Sequence, residues 1–287
     1  MLAIYKKELR SYFTSMIGYV FIAFFLVIIG IYFYVQNLIS GIANFEYTLT
    51  GITFIFVLLT PLLTMRLMAE ENKQKTDQLL LTSPLTAGAI VVGKFLAVFT
   101  IFLLVMIVTC FYPLIMMQYG TVPLTSAYAG IFGFTLLGGA YLAIGLFISS
   151  LTESQVVAAV ISFVFFLFTI LMDGLVNLIP KDKQTAFIVF SVMLLILCLI
   201  LYIMMRNLVI SFGLIVIGEI GLATIYLLKP TLFDGLLVNV FGWFSVISRF
   251  NSFNYGIFDL TGMVYYLSII FVFVFLSTQV IKKKRWS

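Results

Sequence analysis

The sequence is dominated by apolar runs too long and too continuous for any element but a membrane-crossing helix. A bilayer core takes about 20 apolar residues per helix, and the runs that meet this length are Met16–Tyr34, Thr53–Met68, Ile90–Met116, Ala127–Ile148, Val156–Ile179, Ala186–Met205, Leu208–Leu228 and Met263–Val280. The expected fold is therefore an all-α polytopic membrane protein with about eight transmembrane helices, in one transmembrane domain over residues 1–287. Barrel strands are excluded, because the runs do not alternate and are far longer than a strand needs. Only 9% of the residues are charged, too few to cover the surface of a water-soluble fold of this size.

The 16 basic residues point to topology rather than to nucleic acid. With the N-terminus inside and the spans alternating, the cytoplasmic side collects Lys6, Lys7, Arg10, Arg66, Lys73, Lys75, Lys94, Arg206 and the run Lys282–Arg285. The outer side keeps only Lys181, Lys183, Lys229 and Arg249. This bias follows the positive-inside rule and predicts both termini in the cytoplasm. A ninth crossing at Thr231–Phe250 would break it, so 231–260 is expected to be an outer re-entrant helical pair before the last span. No small-residue cleavage site follows the first span, which is expected to stay. The sequence holds no His, which removes His-ligated metals, His triads and His proton relays. Cys110 and Cys198 sit in apolar runs and read as small hydrophobes.

Two segments are not simply membrane. In residues 1–15, Leu2, Tyr5, Leu9 and Tyr12, with Met16 beyond, recur at helical spacing, with Lys6, Lys7, Glu8, Arg10 and Ser11 on the other face. That is an amphipathic interfacial helix, either a membrane anchor or a docking element. The stretch Arg66–Gly88 carries Arg66, Glu70, Glu71, Lys73, Lys75 and Asp77, then Leu79, Leu80 and Leu81 before Pro84. Glu71 and Lys75 stand at i,i+4 with the acid first, a helix-supporting order. A charged helix over 69–84 that carries a leucine ridge at Leu79–Leu81 suits a lever that touches a soluble protein. Gly88–Phe95 mimics a phosphate loop, but Phe95 replaces the magnesium-binding hydroxyl and the segment opens a membrane helix. Lys94 is expected to snorkel to the interface.

Inside the membrane, Glu219 lies midway along Leu208–Leu228, where a charge costs about 2.5–3.5 kcal/mol on insertion scales. It reads either as a pathway or proton site or as an acid hydrogen-bonded within its hairpin, with Gly213, Gly218 and Gly221 favouring close packing. Asp173 is expected to face interfacial water. A secondary transporter or channel with Glu219 as coupling group is the alternative function. An enzyme is disfavoured because its 11 acids are scattered along the chain.

The run Pro61–Glu71, the run Lys75–Pro84 and Val92–Ala97 resemble the permease subunits of ABC-2-type exporters, nearest the gliding-motility branch. Ser149–Gln155, and Phe253–Leu260 leading into Val264–Leu267, agree with this. Members of that family usually carry Gly-Thr where this chain has Lys75-Thr76, and commonly have six spans, so 186–228 reads as an inserted helical hairpin. The resemblance implies a non-catalytic exporter subunit of a bacterial cytoplasmic membrane, and a pathway lined largely by aromatic and aliphatic side chains suits a hydrophobic, amphipathic or peptide-like substrate better than a small sugar or an ion. The resemblance also implies a second permease, identical or paralogous, and separate ATPase subunits that bind ATP and Mg, the permease itself holding no cofactor. Arg66, Glu70, Glu71, Lys75, Thr76, Leu79 and Leu80 would form the surface seated on the ATPase.

Overall fold

In the computed structural model, which describes residues 1–75, 85–205 and 208–286, every described element is a helix. Leu2–Thr14 (α1) turns through Met16, at φ 61, into Ile17–Tyr32 (α2), which ends in a π-helical turn over Phe33–Ile39. Glu46–Thr64 (α3) is followed after one residue by Arg66–Gln74 (α4). Then come Ala87–Thr109 (α5), Phe111–Met116 (α6), Leu124–Leu151 (α7) and Gln155–Leu178 (α8). Lys183–Met205 (α9) and Leu208–Leu228 (α10) form the hairpin. A 3-10 turn over Pro230–Phe233, Leu236–Gly242 (α11), Phe250–Asn254 (α12) and the long Leu260–Trp286 (α13) complete the chain.

Six helices among the described residues are long and apolar enough to cross a membrane, and counting one bent pair as a span gives seven. The other two expected crossings are the hairpin helices α9 and α10, 23 and 21 residues long. Of these, Lys183–Leu199 and Gly213–Leu228 enter that count only as a shorter apolar stretch and as one arm of a pair bent by 109° with Pro230–Gly242. Between Lys229 and Leu260 the chain is broken into short helices, none long enough to span.

Two compact units divide the chain: Met1–Ile170 with Ile247–Ser287, and Leu171–Val246. The first is organised around α7. Of its apolar stretch 78% is covered by protein, against 17% for the last span, so α7 is the hub and the last span is an outer wall. Glycine gives α7 that role by letting neighbours press against its backbone. A Cβ on Gly133 would strike Phe253, one on Gly138 would strike Phe102, and one on Gly145 would strike Thr64. Aromatic rings fill the space between the helices: Phe25, Phe56, Phe102, Phe134 and Phe250 are fully buried and in mutual ring contact. In the second unit Ala186, Phe233 and Leu237 make a small core with Phe187, Leu222 and Tyr226 around it.

Candidate functional site

The polar chemistry of the first unit concentrates where α1, α4, the start of α5 and the end of α7 meet. It begins with the junction of α3 and α4. A helix start leaves four backbone N–H groups without in-helix partners, and the usual remedy is a local side-chain cap. Here the cap comes from another helix. The fully buried Ser149 Oγ of α7 accepts from the amides of Met68 and Ala69, each at 3.1 Å, and donates to the Met65 carbonyl at 3.1 Å. Two further bonds close the C-terminal end of α7. Asn72 Nδ2 donates to Thr152 O at 3.0 Å, and Lys284 Nζ donates to Ser150 O at 3.1 Å, where a cation also suits the negative end of the helix dipole.

The α1 helix docks by its own acid. Its buried face is Ile4, Glu8 and Tyr12, while Leu2 and Met16 are exposed. The packing face is thus rotated from the apolar stripe read from the sequence: Tyr12 belongs to both, Tyr5 and Leu9 are half-buried, and Glu8, assigned to the polar face, is in the contact. The reason is Lys94. This residue does not snorkel: it is 1% exposed. Its ammonium donates to Glu8 Oε1 at 2.8 Å and to Leu67 O at 2.7 Å, and pairs with Glu71 Oε2 at 2.9 Å. All three of its N–H donors are thus used. Lys7 closes the ring by donating to Glu71 Oε1 at 3.1 Å. The Gly-Lys pair of the false phosphate loop now has a physical role, because Gly93 lets Ile4 approach its backbone while Lys94 meets Glu8.

Tyr12 adds a 2.7 Å donation to Leu63 O in the last turn of α3. Burial, with the nearby Glu8 charge, raises the phenol far above its ordinary pKa, so it acts as a neutral donor. Arg66 grips Glu70 through two bonds of 2.6 and 3.2 Å and reaches Ser15 Oγ at 3.1 Å. Three cations (Lys7, Arg66, Lys94) face three anions (Glu8, Glu70, Glu71), so the cluster is electrically balanced. Each ion, once withdrawn from water, has an opposite charge beside it.

Of the residues expected to meet a partner, Arg66, Glu70 and Glu71 are therefore engaged within the chain. Lys75 does not pair with Glu71 at i,i+4; it ends α4 in the left-handed conformation at φ 56 and is exposed, as is Lys73. This is the conformation that glycine adopts at no steric cost, at the position where the resemblance places Gly. Thr76, Leu79 and Leu80 lie outside the described residues. In the second unit Glu219 Oε2 accepts from Ser191 Oγ at 3.0 Å across the hairpin. Of the three glycines near it, only Gly218 is pressed by a neighbour, Leu194. Asp173 does not simply face water: Oδ1 accepts from the buried Ser245 Oγ at 3.0 Å.

A family model described as "ABC-2 family transporter protein" matches residues 39–233. The chain belongs to this family. It is accordingly an ABC transporter permease and a multi-pass membrane protein. The ABC-2 match starts after α1 and runs through the hairpin that the motif resemblance skips. Neither a curated protein nor a solved structure matches the chain.

Proposed function

We propose that the chain is the permease subunit of an ABC exporter, energised by a separate ATPase that seats against α1, α4 and the segment after it. The observation that carries the reading is the Lys94 clamp. A push on α4 reaches α1 through Glu8 and α5 through Lys94 itself, and reaches α7 through Ser149. Packed interfaces of this kind shift as units rather than deform continuously. The exposed Lys73 and Lys75, at the tip of the clamped helix, would meet an acidic surface on the motor.

The cargo is a hydrophobic, amphipathic or peptide-like molecule, carried at an interface with a second permease. Support comes from the exposed stripe Leu260, Val264, Leu267, Phe271 and Phe275 along α13, which repeats at the spacing of a helix–helix seam. Affinity purification of the tagged chain from native membranes tests the motor contact. An ATP-hydrolysing subunit is expected with the wild type and is expected to be lost when Lys73 and Lys75 are both changed to Glu. Retention of that subunit by the double variant would contradict the assigned surface.

A further inference from the structure

Ion pairing leaves two cations of α1 over. Glu8, Glu70 and Glu71 are taken up by Lys94, Arg66 and Lys7. Lys6 and Arg10 are exposed and pair with no acid among the described residues. Successive residues of an α-helix turn by about 100°, which divides α1 into sectors. Ile4, Glu8 and Tyr12 face the protein, and Lys6 and Arg10, four apart, lie on the opposite side. Tyr5, Leu9 and Phe13, with the exposed Leu2, fill one flank between those two sides. Lys7, Ser11 and Thr14, all exposed, fill the other. The apolar flank runs on into a membrane-spanning surface. Phe13 meets the exposed ring of Tyr19 edge-on at 5.0 Å, and beyond it Val20, Phe24, Val27 and Ile31 are exposed at helical spacing along α2.

A helix whose apolar flank continues a lipid-facing surface lies at the headgroup level, with its cations on the boundary between acyl chains and water. Lipid phosphates occupy that boundary. Side chains four apart on a helix stand about 5–6 Å apart at Cβ, close enough for both to hold one phosphate group. The guanidinium supplies two parallel N–H donors and the ammonium a point charge. Neither side chain can accept a hydrogen bond, so the occupant is an anion. A zwitterionic headgroup brings its own cation, whereas two uncompensated positive charges favour a headgroup of net negative charge. We propose that Lys6 and Arg10 bind the phosphate of an anionic phospholipid, with its acyl chains along Leu2, Leu9 and Phe13. An acidic protein surface would use the same two cations, but the adjoining apolar flank fits a lipid. The site lies on the far side of α1 from the Lys94 clamp and does not rest on the proposed motor contact.

Thermal unfolding of the full chain in neutral maltoside micelles tests it, with dioleoylphosphatidylglycerol as probe and dioleoylphosphatidylcholine and inorganic phosphate as controls. Phosphatidylglycerol should raise Tm saturably, by about 3 °C at tenfold excess over half-saturation. In the double variant Lys6→Gln, Arg10→Gln, at two exposed positions, the half-saturating lipid fraction should rise about tenfold or more. The double variant Lys181→Gln, Lys183→Gln removes the same charge from exposed positions of the second unit and should keep the wild-type response. No saturable rise, or an unchanged response in the Lys6 and Arg10 variant, overturns the proposal. An equal loss in the Lys181 and Lys183 variant also overturns it, because the effect would then follow net charge rather than this pair. An equal rise with phosphatidylcholine overturns the anionic headgroup, and an equal rise with inorganic phosphate overturns the lipid as occupant.

Discussion

Lys94 and Glu46 are both buried charges in the first unit, one at each end of α3, and they are built in opposite ways. Lys94 is surrounded by acceptors until no donor is left over. Glu46 is 4% exposed, and neither carboxylate oxygen has a hydrogen-bond partner. A charge of the first kind is part of the frame, because removing it strands its partners. A charge of the second kind costs the frame free energy and strands no partner when it is removed. Glu219 falls between them, with one oxygen bonded to Ser191 and the other buried without a partner.

The sharpest way to break this contrast is Lys94→Met. It leaves Glu8 and Glu71 with only the exposed Lys7 as counter-charge and should cost about 3 kcal/mol, read from denaturant or thermal unfolding. A loss under 1 kcal/mol would show that the clamp is not structural. Ser149→Ala comes next. Two amides at the start of α4 lose their acceptor, for an expected loss of about 1–2 kcal/mol in the same assay. Lys75→Gly should move the other way and stabilise by about 1 kcal/mol, because a left-handed residue with a Cβ carries that strain. Glu46→Gln should be the smallest of all, within about 1 kcal/mol of wild type, since no hydrogen bond is lost. A loss as large as that of Lys94→Met would mean Glu46 is framework and would erase the difference between the two ends.

Much of the architecture was legible because lipid imposes it: backbone groups in hydrocarbon must bond within a helix, and apolar runs announce themselves. The sequence also brought out a charged helix over 69–84, of which the described part is the end of Arg66–Gln74, the remainder from residue 76 lying outside the described residues. What it concealed was which charges face inward. Glu8 follows a lysine pair and looks solvated, and only the approach of Gly93 and Lys94 from another helix turns it into a contact. Lys94 lies eight residues into α5, close enough to an end to read as an interfacial lysine; a buried partner for it cannot be found without the packing. Ser149 was visible as part of a motif, but its role as cap of a helix some 80 positions away is purely tertiary. Glu46 lies ahead of the second apolar run and drew no reading from the sequence; its lack of partners is information that only three dimensions hold. Glu219, the most conspicuous residue in the sequence, has a serine across its own hairpin.

On the proposed function, work done by a separate motor enters through the clamped end of the first unit. Transport by the purified permease–ATPase complex in liposomes tests it most directly, comparing the intact complex with the same vesicles carrying the chain alone. Cargo movement should require ATP hydrolysis and should stop when the motor is stripped away. Undiminished gradient-driven flux through the chain alone, abolished by Glu219→Gln, would contradict the claim and make this chain a transporter in its own right.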